Sequence, residues 1–353
     1  MSTSPDSILP GIEHVVVVMF ENRSFDNMLG GLYPDKTRNG EYNGVSPGMY
    51  NKVDPYTPNL GVIKVWQDDT NLDAMIMPYP DPGELFSDMN QQIFAPNPPP
   101  RSGPGKPTMN GFVYNYQTQL VEIGGSAPRG GDIMQYYKPG ADGNIPVMTA
   151  LAQAYGVSDA WFASGPVQTL VNRIFAHSGQ PSTYVSNGAT LSCIDNTTVT
   201  KGAYDPLGTV YVRTIFELLD NKFGSNQVNW KVYYNDFPLS SLINYVYEHW
   251  GPFQPNVCGY DDYFASDIAN NTLPAYSFIE PRYTNMASDS ICQATDPSYQ
   301  PSSYHPGGRA PAGIQTAPII RLQSAFVLAN SFWPIFIRSY PVILNYLKKP
   351  YWL

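Results

Sequence analysis

The hydrophobic pattern is set near the start of the chain by a run without polar alternation, His14-Val15-Val16-Val17-Val18-Met19-Phe20, which ends on Glu21-Asn22. Strict alternation would mark a strand with one wet face; a continuous β-branched run predicts a central parallel strand covered on both faces. Ser24 is placed to cap a short helix that ends near Gly30. Regular patterning resumes at Asn144, read as an N-cap, with Pro146 in the first turn, Val147, Leu151 and Ala154 at helical spacing, and Gly156 as the stop. A strand near 156–162 follows. Helices are expected at about 169–178, 209–223 (closed by Gly224), 239–250 and 261–270, with strands at 230–234 and 275–279. This βα alternation predicts an α/β protein, a doubly wound, mostly parallel sheet with helices on both faces. Residues 31–143 hold no long period and are crowded with Pro, Gly, Asn and Tyr, the mark of a long irregular insertion that caps a site. No repeat or Gly/Ser-rich linker divides the chain, so 1–315 is read as one domain and 316–353 as an atypical apolar tail.

Composition narrows the classes. With 42% hydrophobic residues in 353 the chain can build a large core, while 34 Pro, 29 Gly and 26 Tyr favour ordered loops over helix bundles. A net charge of -9 with no basic stripe argues against nucleic acid as partner. Cys193, Cys258 and Cys292 lack metal-finger spacing and allow at most one disulfide. The Met1 start shows neither a basic n-region nor an apolar core, so no signal peptide is read. Compartment and oligomeric state stay open.

Candidate chemistry gathers at strand ends, where open α/β sheets bind ligands. Glu21 and Asn22 offer oxygens suited to a hard or borderline cation such as Mg²⁺, Ca²⁺ or Zn²⁺; the alternative is a Glu21–Arg23 ion pair and a helix cap. Thr169 precedes a helical run ending at Gly179, so its hydroxyl is either a nucleophile at a helix N-terminus or an ordinary cap. Asp236 and Glu280 each follow an apolar strand and would point into the same edge of the sheet; the alternative for either is to cap a loop or pair with Arg282. His14 and His249 read as structural, and His177 as a helix-end residue where a cation is favoured; His305, on a Pro/Gly-rich loop, is a ligating or phosphate-contacting candidate.

Several strings together resemble the bacterial phospholipase C and acid phosphatase family, a branch of the alkaline phosphatase superfamily. They are Glu21-Asn22-Arg23-Ser24-Phe25-Asp26, Thr169-x-x-Asn172-Arg173 with Ser178-Gly179, Ser277-Phe278-Ile279-Glu280-Pro281-Arg282 and Tyr304-His305-Pro306, in the family's order over about residues 12–315. The resemblance implies an alkaline-phosphatase-like fold and a metal-dependent phosphoester hydrolase. Glu21, Asn22 and Thr169 would hold the metal, and Thr169 would form a covalent phospho-enzyme that water cleaves. Asn172, Arg173 and His305 would contact phosphate, with Asp236 and Glu280 as further candidates. Threonine at the nucleophile position resembles the phospholipase C branch; phosphatase or sulfatase-like specificity is the runner-up. The implied partners are a small phosphoester or phospholipid headgroup and transient contact with a membrane surface, and family members are often exported.

Two positions depart from the pattern: Val171 replaces the usual Pro before Asn-Arg, and Asn27 stands where many members carry His. The larger departure is C-terminal. Members continue into an Asp-rich segment, a Gly-Gly and an Asp-His pair, whereas residues 297–353 contain no Asp or Glu and His305 as the one histidine. Residues 322–337 are apolar and aromatic with Pro334 inside, too broken for a membrane helix, and read as a buried or interfacial segment or, from the change near Gln315, as a frame-shifted or unspliced tail. On that reading the chain is either a hydrolase with a half-built ligand set or a truncated, non-catalytic remnant.

Overall fold

The computed structural model describes residues 12–20, 23–68, 82–98, 105–119, 129–180, 213–235 and 237–281. Their strands are β1 (Val15–Val18), β2 (Tyr50–Lys52), β3 (Val62–Lys64), β4 (Trp230–Tyr234), β5 (Val257–Gly259) and β6 (Tyr276–Ile279). The helices are α1 (Phe25–Met28), α2 (Pro34–Arg38), α3 (Phe86–Phe94), α4 (Phe112–Gln117), α5 (Pro146–Ala154), α6 (Thr169–Ser178), α7 (Ile215–Phe223), α8 (Asn244–Glu248) and α9 (Ala265–Ala269). The chain divides into two compact units, whose described residues are 12–20 with 213–281 in one and 23–180 in the other.

The first unit is a parallel sheet in the order β1-β6-β4-β5. The register sets Lys231 beside Ser277 and Val232 beside Phe278, so successive residues of β4 and β6 face opposite layers. One layer is apolar: Phe216 of α7 and Val246 of α8 cover Trp230, Val232 and Phe278, with Val17 of β1 and Met19 just after it joining them. The other layer sets Phe264 and Ile268 against Tyr233, Cys258 and Ile279, joined by Val16 and Val18. Helices therefore flank both faces of a parallel sheet, the α/β architecture that the βα alternation predicts.

Several elements differ from the sequence reading. The valine run does feed both layers, but among the described residues β1 pairs with β6 alone, Val15 is exposed, and the strand ends the sheet instead of centring it. β-Branched density here reports strand propensity more than depth of burial. The helix expected over 239–250 is a 3₁₀ turn, Leu239–Leu242, followed by α8. Ser240 and Ser241 favour local bonds over a continuous helix: Ser241 N–H donates to Pro238 O, and Ser240 binds Glu280 through both its amide and its hydroxyl. The helix expected over 261–270 opens as a wide π turn, Tyr260–Phe264, before α9. The N-terminal half of the helix expected from 209 lies partly outside the described residues; α7 starts after Thr214, whose hydroxyl accepts Glu217 N–H.

In the second unit the insertion contains short elements instead of a continuous coil: α2, the antiparallel pair β2–β3, α3 and α4. Asn51 ties the hairpin to α4, donating to Met109 O at 2.7 Å and accepting Val113 N–H at 3.1 Å. α5 forms one residue later than the expected cap. Ile145 is its N-cap, and Asn144 instead accepts Lys138 N–H at 2.8 Å to close the preceding turn. No strand forms over 156–162: Asp159 accepts Asn43 N–H at 2.7 Å, and Trp161 and Phe162 are exposed without a ladder partner.

Candidate active site

Thr169 is the first residue of α6 and is half-buried. The N-cap position falls one residue earlier, on Gln168, whose own side chain makes no capping bond to α6. The helix closes at Gly179, whose φ of +74° is the left-handed conformation that favours glycine at a helix C-terminus.

The loop before Thr169 is held by Asn172. Its Oδ1 accepts Gly165 N–H at 3.0 Å, and its Nδ2 donates to Gly165 O at 3.1 Å, Val167 O at 2.8 Å and Gln168 O at 3.3 Å. The side chain reaches back over one turn and fixes residues 165–168, the segment that sets where the Thr169 hydroxyl emerges. Arg173 and His177 share the buried side of α6. Burial, reinforced by the Arg173 charge, pushes the His177 imidazole down to about 3 and keeps it neutral.

The turn that follows Glu21-Asn22 is also well anchored. Ser24 Oγ accepts Asn27 N–H at 3.1 Å and caps α1, as its position in the sequence predicts. Asn27 donates to Gln135 O at 2.7 Å and its carbonyl accepts Tyr137 N–H at 2.8 Å, which binds α1 to the 135–137 segment. Arg23 donates to Asn27 Oδ1 at 3.4 Å and lies 5.8 Å from the Tyr137 ring centroid.

In the first unit Glu280 directly follows β6 and is buried. Its Oε1 accepts Ser240 N–H at 2.9 Å and Ser240 Oγ–H at 2.6 Å, and its backbone N–H donates to Tyr233 O at 2.9 Å. Glu280 thus ties the turn after β4 to the carboxyl edge of the sheet. His14 and His249 bond to backbone carbonyls, Pro274 O at 3.0 Å and Tyr245 O at 2.7 Å, in keeping with structural roles.

Glu21, Asn22, Asp236, Arg282 and His305 lie outside the described residues, as do Cys193 and Cys292. Among the described residues no group of three or more His, Cys, Asp or Glu could hold a metal ion. One buried polar network escaped the sequence reading: Lys231 Nζ lies 2.6 Å from Asp267, which also accepts from Tyr233 at 2.7 Å and Thr272 at 2.9 Å. A lysine in the middle of the apolar strand Trp230–Tyr234 was the available signal, since a buried ammonium requires a carboxylate partner.

One unit is a parallel α/β sheet with a buried carboxylate following a strand; the other presents a threonine on the first turn of a ten-residue helix. The profile of the phosphoesterase family matches residues 12–306, and the chain belongs to that family. It is 32% identical to non-specific phospholipase C1 of Arabidopsis thaliana over 284 residues, 80% of this chain and 45% of that protein. It is also 31% identical to non-specific phospholipase C3 of the same plant over 279 residues, 78% of this chain and 46% of that protein. The chain spans less than half the length of these relatives.

Proposed function

We propose that this chain carries a metal-dependent phosphoric ester hydrolase site of the phospholipase C type, with Thr169 as nucleophile. The observation that carries the reading is the setting of Thr169, a hydroxyl on the first turn of a ten-residue helix whose preceding loop is fixed by Asn172. The helix dipole and the first-turn amides stabilise negative charge at that end. Thr169 Oγ attacks phosphorus, the P–O bond to the alcohol breaks, and the proton passes to the departing alcohol. Water then attacks the phospho-threonine, the Thr169 O–P bond breaks, and phosphate or a phosphomonoester is released with Thr169 reprotonated. Arg173 and His305 are the proposed phosphate contacts. Asn172 acts first by positioning the loop.

The oxygen donor set Glu21, Asn22 and Thr169 suits a hard or borderline cation, Mg²⁺, Ca²⁺ or Zn²⁺, and these residues would hold it. Such an ion would neutralise phosphoryl charge and lower the pKa of the nucleophile. The relatives' name, phospholipase C, supports a phosphodiester with a lipid alcohol as leaving group. A phosphatase or sulfatase-like specificity is the second reading.

The test pairs metal content by mass spectrometry with hydrolysis of p-nitrophenyl phosphate and of a phosphorylcholine ester. Wild type should hydrolyse the diester in preference and lose activity after chelation, and Thr169→Ala should fall by a factor on the order of 10³ or more. No bound metal together with equal rates for wild type and Thr169→Ala would make the chain a non-catalytic member of its family.

A further inference from the structure

We propose that the outward face of the β2–β3 hairpin docks the protein on the surface of an anionic phospholipid bilayer. The antiparallel register places Tyr50 opposite Lys64 and Lys52 opposite Val62, so these four side chains share one face, while Asn51 and Ile63 turn to the other. The inner face is committed, because Asn51 is buried and bonded to the backbone of Met109 and Val113. The outer face is open: Tyr50 is 54% exposed and Val62 45%. The connecting turn adds Tyr56 at 52% and Leu60 at 57%. That turn is shaped locally, with Asp54 Oδ1 accepting Tyr56 N–H at 2.7 Å and Gly61 at a φ of +88° returning the chain into β3.

The charge of this face selects its partner. In a chain of net charge -9 the strand face carries two lysines and no carboxylate, the turn's one carboxylate, Asp54, accepts Tyr56 N–H, and neither Lys52 nor Lys64 has an ion-pair partner among the described residues. Interleaved tyrosine, aliphatic and lysine side chains match the headgroup layer, where phenol rings sit at the water boundary and lysine stems lie along apolar surface with the ammonium in water. Leu60, at the tip, would reach furthest in, with the half-exposed Tyr56 ring braced against Tyr114 at 5.3 Å beside it. The proposal deepens the lipid-hydrolase reading and rests on it only for the choice of a bilayer over another anionic surface.

Vesicle co-sedimentation of the full chain tests it, comparing phosphatidylcholine with phosphatidylcholine containing phosphatidylserine. Wild type should bind the anionic vesicles more tightly, and added salt should weaken binding. Lys52→Gln with Lys64→Gln should lower the affinity about 25-fold, roughly fivefold per lysine. Tyr56→Ser with Leu60→Ser should lower it about tenfold. Hydrolysis of soluble p-nitrophenyl phosphate is followed on every variant and should match wild type. Equal binding to both vesicle types, or unchanged binding by the lysine pair variant, overturns the proposal. So does binding to heparin as tight as to vesicles with no contribution from Tyr56 and Leu60, which would make the face a general polyanion site. Vesicle binding by a chain that hydrolyses nothing leaves the docking surface standing and removes the hydrolase reading instead.

Discussion

The side-chain amide of Asn172 and the backbone of Gly165 exchange two hydrogen bonds, 3.0 Å from Gly165 N to Oδ1 and 3.1 Å from Nδ2 to Gly165 O. The pairing makes one side chain of α6 the clamp on the loop that delivers Thr169. Asn172→Asp keeps the acceptor but turns an oxygen towards the carbonyls of Gly165, Val167 and Gln168. It should destabilise the fold by about 1–3 kcal/mol and lower kcat at least tenfold. Urea unfolding with steady-state kinetics checks this: a raised KM with unchanged stability and kcat would instead mark Asn172 as a direct phosphate contact.

His177 gives the acid side of stability a defined sign. Burial and the Arg173 charge hold its folded pKa near 3, below the ~6.5 of an unfolded chain. Between these values the unfolded state binds the extra proton. Its contribution is therefore complete above about pH 6.5 and declines as pH falls towards 3, by up to about 1.4 kcal/mol per pH unit. His177→Gln, a neutral replacement, should lose less stability than wild type between pH 7.5 and 5.0. Equal losses in urea titrations at the two pH values would refute the assignment.

Asp267 titrates under opposing influences. Burial pushes its carboxyl up, but hydrogen bonds from Lys231, Tyr233 and Thr272 and the Lys231 charge outweigh it and hold the carboxyl below the usual range. A depressed folded pKa gives stability present above about pH 3.9 and lost as pH falls through the folded value. Lys231→Met should cost about 3–5 kcal/mol, because it leaves a buried carboxylate without its cation. Lys231→Met combined with Asp267→Leu should recover most of that loss in thermal unfolding; additive losses would show that the pair is not coupled.

Glu280 braces the turn after β4 through Ser240. Glu280→Gln keeps an oxygen for Ser240 and should retain both stability and hydrolysis, whereas Glu280→Ala leaves the Ser240 amide and hydroxyl without their acceptor and should cost about 1–3 kcal/mol. Loss of turnover in Glu280→Gln at unchanged melting temperature would assign the carboxylate a part in the chemistry.

What could be read without coordinates was local in origin. The apolar run 230–234, the Thr169-to-Gly179 helix and the Ser24 cap are decided by residues within a few positions of one another, and each formed where the pattern put it. The strand expected over 156–162 failed because a strand needs a partner that no local pattern supplies, and the helix expected over 239–250 broke because Ser240 found Glu280, forty residues away. The register of β2 and β3 likewise decided that Lys52 and Lys64 share an open face. By itself the sequence determined the βα alternation and which hydroxyl stands at a helix start, which follow from spacing along the chain, and its motif strings carried the resemblance to the family. Only the tertiary structure decided that Asn172 clamps a loop, that Lys231 meets Asp267 and that Glu280 holds Ser240. Each of those depends on which distant polar groups are buried together, where an unmet hydrogen bond is too unfavourable to persist.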